Sequence, residues 1–287
     1  MVEAEVSLWI MLVLGFVSSF VGGMLGIGGG VFIVPVLVVF LHLPAQVGIG
    51  SSLITIVATA STASISYIKN NLTNIRLCLL LIVFTVPGAI LGSFMASFIS
   101  SSVLIMFFSL ILIGVAFSML FRPRFKEETL QESIQADLDV KIRRPYWWSY
   151  YDMYLKKDIY YRVRNLPLGM ALSFVAGIIS SLFGIGGGVI YVPVLSLLLG
   201  VPIKIAIACS SFLIAITAAS GSIVNYYNGF IHPIIIAPLV LGSFAGASLG
   251  SLVSQKSSSG ILRLIFFAIL VLTAITIILR YMNIMNF

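Results

Sequence analysis

Long apolar runs dominate this chain and leave it few ways to fold. They follow one another from end to end with only short polar breaks between them. Since 60% of the residues are hydrophobic and 9% are charged, against roughly 25% charged in soluble domains, a water-soluble core could not enclose so much apolar surface. A helix crosses a bilayer with about 20 residues and satisfies its own backbone groups. The sequence therefore predicts an all-α, multi-pass membrane protein.

About ten transmembrane segments are predicted, five on each side of a charged centre. Their approximate bounds are 6–22, 29–42, 46–67, 77–98 and 103–121, then 166–183, 187–200, 204–226, 234–253 and 261–280. The chain thus divides into a first transmembrane repeat at 1–121, a charged loop at 122–164 and a second transmembrane repeat at 165–287. The second and seventh segments are short and follow glycines, so we interpret them as half-helices, and eight to ten full spans remain open.

The two transmembrane regions are copies of one unit. At an offset of 158 residues, Gly26-Ile27-Gly28-Gly29-Gly30 is matched by Gly184-Ile185-Gly186-Gly187-Gly188, and Val34-Pro35-Val36-Leu37 by Val192-Pro193-Val194-Leu195. With a slip of one residue, Ser51-Ser52 falls on Ser210-Ser211 and Tyr67 on Tyr226. Similarity that keeps its register over this length predicts an internal duplication.

The basic residues predict the orientation in the membrane. If each half crosses five times, 15 of the 16 Lys and Arg residues fall on one side, which the positive-inside rule assigns to the cytoplasm. Four crossings per half give 13 to 3 at best. Five crossings are favoured, which places the central loop in the cytoplasm and the N-terminus outside. An odd number also inverts the second repeat relative to the first, as in many secondary transporters.

The duplicated glycine turn is the first candidate for a substrate-binding site. Consecutive glycines let backbone N–H groups point into one concavity, and a helix that begins directly afterwards adds the positive end of its dipole, which suits an anion. The competing interpretation is that the glycines only permit close helix packing, but their duplication before two short segments favours a site. The candidate residues are Gly26, Gly28, Gly29, Gly30, Pro35, Gly184, Gly186, Gly187, Gly188 and Pro193.

Hydroxyl groups at the start of the third and eighth segments are the second set of candidates. Neutral donors can bind an oxyanion, yet Ser and Thr in membrane helices also bond back to carbonyls one turn earlier, and both interpretations stay open. These residues are Ser51, Ser52, Ser210 and Ser211. Small residues at four-residue spacing are instead assigned to helix contacts, namely Gly88, Gly92 and Ala96, and Gly242, Gly246 and Gly250.

Residue types missing from the apolar segments argue against other functions. No Asp or Glu lies in a predicted span, which disfavours a carboxylate proton relay, and no constellation for catalysis is present. Cys78 and Cys209 lie in apolar runs and resemble neither a disulfide framework nor a metal site. We therefore expect no enzyme, no cofactor and no metal. Lys204, Arg76 and Arg263 are interpreted as interfacial residues whose charges reach the headgroups.

The net charge of +7 does not indicate a nucleic-acid partner. Residues 122–164 contain 10 of the 16 basic residues together with seven of the nine acidic ones, a mixture typical of a loop that sets topology or meets anionic lipid. The predicted partners are a small anion and the lipid bilayer. The coupling ion, the direction of transport and the oligomeric state stay open.

The glycine turn followed by Val-Pro-Val-Leu resembles the signature of the sulfite exporter TauE/SafE family, also called the toluene sulfonate uptake permeases. The resemblance covers nearly the whole chain outside 122–164 and rests on Gly22, Gly23, Gly26, Gly28 to Gly30 and Pro35, then on Gly184, Gly186 to Gly188 and Pro193. It implies a secondary carrier of the cytoplasmic membrane that moves sulfite, sulfonates, sulfoacetate, thiosulfate or a related organic anion. Ser180 and Ser181 depart from the pattern, because they replace the first glycine pair.

Two other functions stay open from the sequence. One is an anion channel, which would share the same neutral donors. The other is a non-transporting membrane scaffold that acts through the central loop. The carrier is favoured because the resemblance and the paired glycine turns both support it.

Overall fold

Helices form most of the described chain, and their bounds follow the apolar runs. The computed structural model describes residues 8–100, 103, 104, 107, 110, 114, 147–262, 264–269, 271 and 272. In chain order the helices are α1 (Leu8–Leu25), α2 (Gly30–Pro35), α3 (Ala45–Lys69), α4 (Ile75–Ala96), α5 (Leu166–Phe183), α6 (Gly188–Pro193), α7 (Ile203–Tyr227) and α8 (Pro233–Lys256). Six of these, all except α2 and α6, are long and apolar enough to cross a membrane.

Two predicted segments fall wholly or partly outside the described residues. Most of 103–121 and residues 273–280 of the last segment are not described, and neither is Arg263. A shorter apolar helix occupies Ser259–Ile269. The total of about ten segments therefore stays a prediction.

The helix bounds repeat at the offset found in the sequence. The first helices α1 and α5, the short helices α2 and α6, and the long helices α3 and α7 each begin 158 residues apart. Both α3 and α7 have 25 residues, so nothing is inserted in one of them. The predicted one-residue slip is therefore wrong. Ser52, not Ser51, is equivalent to Ser210, and Tyr67 is equivalent to Asn225.

The two short helices occupy the positions of the predicted half-helices. α2 has 6 residues and continues as a π-helical turn of 5 residues over Val36–Phe40, and α6 continues in the same way over Val194–Leu198. Such a segment is about 16 Å long, half of a hydrocarbon core of about 30 Å. In the first half it turns back along α1, because Ile33 and Leu37 pack against Met11.

Glycine stripes join α1 to α8 and α4 to α5, in each case across the two halves of the chain. The missing side chains bring backbone against backbone, as small residues do in membranes. The contacts are Gly242 with the Leu12 carbonyl, Gly246 with Phe16 and Gly250 with Phe20, then Gly88 with Phe174 and Gly92 with Ile178. The prediction that these glycines serve helix packing is confirmed. Since the contacts advance in the same order along both helices, α1 is parallel to α8 and α4 is parallel to α5.

A β-hairpin in the central segment corrects the all-α fold class. Strand β1 (Trp147–Asp152) pairs antiparallel with β2 (Lys157–Arg162), with Trp148 opposite Tyr161. These two side chains stack with ring centroids 6.3 Å apart. Aromatic residues favour strands because they pack well across a pleated surface, so the aromatic run of the loop predicted at 122–164 pairs as a hairpin.

The hairpin is held against the starts of α4 and α7. Asn74, the N-cap residue of α4, donates from Nδ2 to the Tyr161 hydroxyl at 3.1 Å. Lys204, in the first turn of α7, donates from Nζ to Asp152 Oδ1 at 2.7 Å, and their side chains are only 4% and 1% exposed. The interpretation of Lys204 as an interfacial lysine is therefore wrong, since a hairpin carboxylate compensates its charge. Arg76, by contrast, is exposed.

The Asp152 carboxylate is stabilised in its charged form. Burial raises its pKa, but the Lys204 ammonium and the backbone N–H groups of Leu155 and Tyr154 outweigh this effect, and the pKa lies below its ordinary value. A carboxyl group with a lowered folded-state pKa contributes stability above its unfolded pKa of about 3.9 and loses it as the pH falls toward the folded value. The ion pair therefore persists throughout the neutral range.

Replacing Lys204 with methionine should destabilise the protein by about 3 kcal/mol, because Asp152 is left buried without its partner. Thermal unfolding in detergent measures this effect. The exposed Lys69, at the end of α3, provides the control Lys69→Met. We expect the difference between the variants to be constant from pH 5 to pH 8 and to shrink below about pH 4. Equal melting temperatures at pH 7 would show that the ion pair does not hold the hairpin.

Candidate functional site

The two glycine turns lie against each other between α3 and α7. The backbone of Gly188 packs on the Gly26 carbonyl, and that of Gly30 packs on the Gly184 carbonyl. Each glycine of the two motifs is buried. The structure therefore brings together the residues that the sequence singled out in separate halves of the chain.

Isoleucine side chains from the centres of α3 and α7 close over both turns. A Cβ built on Gly28 would lie 3.0 Å from Ile56 Cγ2 and 3.2 Å from Ile214 Cγ2. One built on Gly186 would lie 2.9 Å and 3.2 Å from the same two atoms. Ile56 and Ile214 are equivalent residues of the two halves, so the surroundings of the turns are close to symmetric. The sequence analysis missed this pair because apolar residues in an apolar segment carry no distinguishing signal.

Backbone conformation explains why these positions need glycine. Gly28 and Gly29 have φ angles of +86° and +88°, and Gly186 and Gly187 have φ angles of +79° and +74°. L-residues with a Cβ rarely adopt this left-handed region, whereas glycine does so at little cost. Two such residues in succession reverse the direction of the chain. The short helix that follows therefore runs back alongside the long helix that precedes the turn.

One serine from each half hydrogen-bonds to the glycine turn of the other half. Ser52 Oγ donates to the Gly184 carbonyl at 2.7 Å, and Ser210 Oγ donates to the Gly26 carbonyl at 2.7 Å. These bonds are reciprocal, since the donors and the acceptors are equivalent residues 158 positions apart. The two halves therefore meet here in a pseudo-symmetric contact.

The other two candidate serines have different surroundings. Ser211 Oγ bonds back to the Ile207 carbonyl at 3.0 Å, the packing role that the sequence left open. Ser51 Oγ is buried and has no hydrogen-bond partner within the described residues. Only Ser52 and Ser210 therefore contact the glycine turns directly.

The candidate prolines end the α-helical part of each short helix. Pro35 and Pro193 are buried and lack a backbone N–H. The π-helical turns follow at once, closed by the bonds from Leu41 N to the Val36 carbonyl at 3.0 Å and from Leu199 N to the Val194 carbonyl at 3.1 Å. Single π-helical turns often occur at functional sites.

The surroundings of the turns are electrically neutral. Among the described residues the buried charged side chains are Asp152 and Lys204, which pair with each other at the hairpin. The described part of the chain also contains no group of three or more His, Cys, Asp or Glu that could hold a metal ion. An anion at the turns would therefore be bound by backbone N–H groups, hydroxyls and the N-terminal ends of α2 and α6.

These features define a class before any relative is considered. The chain is a multi-pass helical membrane protein in which two broken, half-length helices meet near the middle of the bundle. The profile of the family described as sulfite exporter TauE/SafE matches residues 11–277. The chain therefore belongs to the sulfite exporter TauE/SafE family.

Known relatives agree with this assignment. The chain is 27% identical over 271 residues to the probable membrane transporter protein YunE of Bacillus subtilis, covering 92% of this chain and 94% of YunE. It is 22% identical over 248 residues to YdhB of the same organism, with 84% and 86% covered. MamO of Paramagnetospirillum magneticum is 28% identical over 260 residues, 84% of this chain but only 40% of MamO. No solved structure matches the chain.

Replacing Ser52 or Ser210 with alanine should lower the free energy of unfolding by about 1 kcal/mol each, because one buried carbonyl loses its donor in each case. Chemical or thermal unfolding in detergent measures the loss. Ser211→Ala is the matched control, since its hydroxyl bonds only within its own helix. A loss at Ser52 and Ser210 no larger than that at Ser211 would contradict a tie between the halves.

Proposed function

We propose that the protein is a secondary transporter that carries a small anion across the cell membrane by alternating access, with the substrate bound near the two glycine turns. The observation that carries the proposal is the reciprocal contact of these turns through Ser52 and Ser210. It brings the starts of two half-length helices to one neutral, buried place. Discontinuous helices whose ends face a central site are typical of secondary transporters.

The directions of the helices support an inverted arrangement of the two repeats. α3 and α4 are joined by a short turn and run in opposite directions. Along α4, Cys78 contacts Cys209 near the start of α7, and Ser93 contacts Asn225 near its end. α7 is therefore parallel to α4 and antiparallel to α3, its own equivalent. Two equivalent helices that run in opposite directions across a membrane belong to inverted copies.

The charge distribution supports the orientation of the protein. With five crossings per half, the central loop with its hairpin lies in the cytoplasm and the N-terminus lies outside. Lys69, Arg76 and Lys256 then lie on the cytoplasmic side together with Lys204.

The nature of the site supports an oxyanion as substrate. Neutral donors in a low-dielectric environment can hold a negative charge without burying a permanent positive one. The family description names sulfite export, and the relatives YunE, YdhB and MamO are named probable membrane transporter proteins. Sulfite, thiosulfate, sulfoacetate and other sulfonates are the substrates to be tested first.

Valine at Gly29 or Gly187 should abolish transport while the protein still inserts into the membrane, because a β-branched residue cannot adopt the left-handed conformation of the turn. Radiolabelled sulfite uptake into proteoliposomes measures the loss. Gly229→Val is the control for backbone strain alone, since Gly229 also has a positive φ of +74° but lies in open space. Sulfite uptake at the wild-type rate by the Gly29→Val and Gly187→Val variants would contradict the proposed binding site.

The same assay separates a carrier from a channel. A carrier saturates with external sulfite, and unlabelled sulfite inside the vesicles accelerates the uptake of labelled sulfite. A linear, unstimulated flux would instead identify an anion channel.

Inverted repeats predict opposite accessibility at equivalent turns. Asn71 and Gly229 are exposed, 158 residues apart, and follow the ends of α3 and α7. In intact cells, a membrane-impermeant thiol reagent should label Gly229→Cys, whereas Asn71→Cys should react only after the membrane is opened. Both variants require the replacement of Cys78 and Cys209 by alanine. Labelling of both positions from the same side would contradict inversion.

A further inference from the structure

A file of polar side chains runs along the seam between α4 and α7. Its residues are spaced so that they share one face of each helix. They are Thr85 and Ser93 on α4 with Ser97 at its C-cap, and Thr217 and Asn225 on α7 with Asn228 at its C-cap. The inner members are buried, and at the outer end Asn228 Nδ2 donates to Ser97 Oγ at 2.8 Å in an exposed pair. From Thr85 to Ser97 the file is about 18 Å long. It therefore leads from the middle of the bundle to its surface.

The inner end of the file adjoins the second glycine turn. The ring of Tyr191, in α6, packs against Gly187, and its buried hydroxyl has no hydrogen-bond partner in the described part of the chain. Ser180 also packs against Gly187. The file thus continues directly from the turn at which we place the substrate.

Two serines beside the file have hydroxyls without a partner. Several buried hydroxyls of the long helices donate to a carbonyl one turn earlier, as Thr59 does to Thr55 at 2.9 Å and Thr217 does to Leu213 at 2.9 Å. Ser180 and Ser181 are fully buried, yet their Oγ atoms have no hydrogen-bond partner in the described part of the chain. A buried hydroxyl in this position is available to a ligand that accepts hydrogen bonds.

Three helices bring their polar groups together around Gly221. A Cβ at this position would lie 2.6 Å from Ser181 Oγ and 2.7 Å from Ser93 Oγ. Asn225 Nδ2 donates to the Gly221 carbonyl at 3.0 Å and to Ser93 Oγ at 3.3 Å. Ser181, Ser93 and Asn225 are therefore neighbours. The unpaired Ser181 hydroxyl can donate to a negatively charged oxygen directly, and the Ser93 hydroxyl and the Asn225 amide can do so by turning toward it.

The equivalent seam of the first half contains a large side chain. At the offset of 158 residues, Gly23 takes the place of Ser181, and Tyr67 takes the place of Asn225. The Tyr67 ring is 1% exposed, and its hydroxyl donates to the Gly23 carbonyl at 2.7 Å. A large, hydrogen-bonded side chain thus fills this part of the first seam, where the second seam has the smaller Asn225 and the unpaired hydroxyl of Ser181.

We propose that the α4–α7 seam is one half of the substrate pathway, in which Ser93, Ser181 and Asn225 form a second binding site for the oxyanion, and that Tyr67 seals the equivalent half. This rests on the proposed transport function and adds the route and the groups that hold the substrate along it. Hydroxyl and amide donors suit the oxygens of a sulfite-like anion. A cation would find no buried carboxylate in the described residues other than Asp152, which is paired at the hairpin.

Kinetics of sulfite flux in proteoliposomes test the binding site. We expect Ser181→Ala and Asn225→Leu each to raise the half-saturating sulfite concentration about tenfold, as expected when a charged ligand loses one donor. Ser248→Ala is the control, because Ser248 is exposed and bonds back to Phe244. Wild-type half-saturation in a Ser93→Ala/Ser181→Ala double variant would overturn the binding site while leaving the transport function intact. Absence of flux in the unmodified protein would overturn the transport function itself, and with it the pathway.

Cysteine accessibility tests the route independently of kinetics. Ser93 and Ser251 are equivalent, fully buried serines of the two seams, so Ser93→Cys and Ser251→Cys are a matched pair in a background with alanine at Cys78 and Cys209. A small anionic thiol reagent should modify Ser93→Cys at least about tenfold faster than Ser251→Cys when each is exposed from its own side. Sulfoacetate, which does not react with the reagent as sulfite does, should slow the reaction. Replacing Tyr67 with alanine should accelerate the reaction at Ser251→Cys. Equal rates at the two cysteines, or no protection by sulfoacetate, would show that the polar file is only a structural cluster.

Discussion

The contact between the two glycine turns is the interaction on which the rest of the bundle depends. Ser52 and Ser210 donate to carbonyls of the opposite turn, and such an approach requires that neither backbone carries a side chain at the point of contact. In a bilayer no water is present to satisfy these carbonyls, so the hydroxyls that reach them are part of the fold. Once the turns are joined, α2 and α6 lead away from this contact, while α3 and α7 pass on either side.

Neither half can be a separate folding unit with this architecture. α1 packs on α8 and α4 packs on α5 through glycines whose neighbours are backbone atoms of the other half. Contacts between smooth backbone surfaces depend on dispersion and close approach rather than on interlocked side chains. Such surfaces can slide by small amounts without unpacking large residues. The interface that stabilises the fold is therefore also the one along which the proposed transport cycle would move the two halves.

Sequence periodicity and motif spacing predicted the helices, the glycine contacts and the family, but not the partners of polar groups. The four-residue spacing of Gly242, Gly246 and Gly250 predicted that they share one helix face and pack against another helix. The pairing of Lys204 with Asp152 could not be foreseen, since it depends on a hairpin folding back over 52 residues of chain. The sequence did not show that Ser52, rather than Ser51, is the equivalent of Ser210. The aligned motifs suggested a shift of one residue between the two halves, and the helix bounds do not contain this shift.

The two halves differ at a few equivalent positions, and these differences bear on the function of each half. A perfectly symmetric pair of repeats would open equally to both sides of the membrane, whereas transport requires that one side be closed while the other is open. Tyr67 and Asn225 occupy equivalent positions. Tyr67 is a large side chain that bonds to the Gly23 carbonyl, and Asn225 is a smaller one that bonds to the Gly221 carbonyl and to Ser93. Substitution of the Gly22–Gly23 pair by Ser180 and Ser181 acts in the same direction, because it adds two hydroxyls to the half that already contains Asn225. The proposed pathway gives this departure from the family signature a chemical role, since Ser180 and Ser181 supply hydroxyl donors that Gly22 and Gly23 lack.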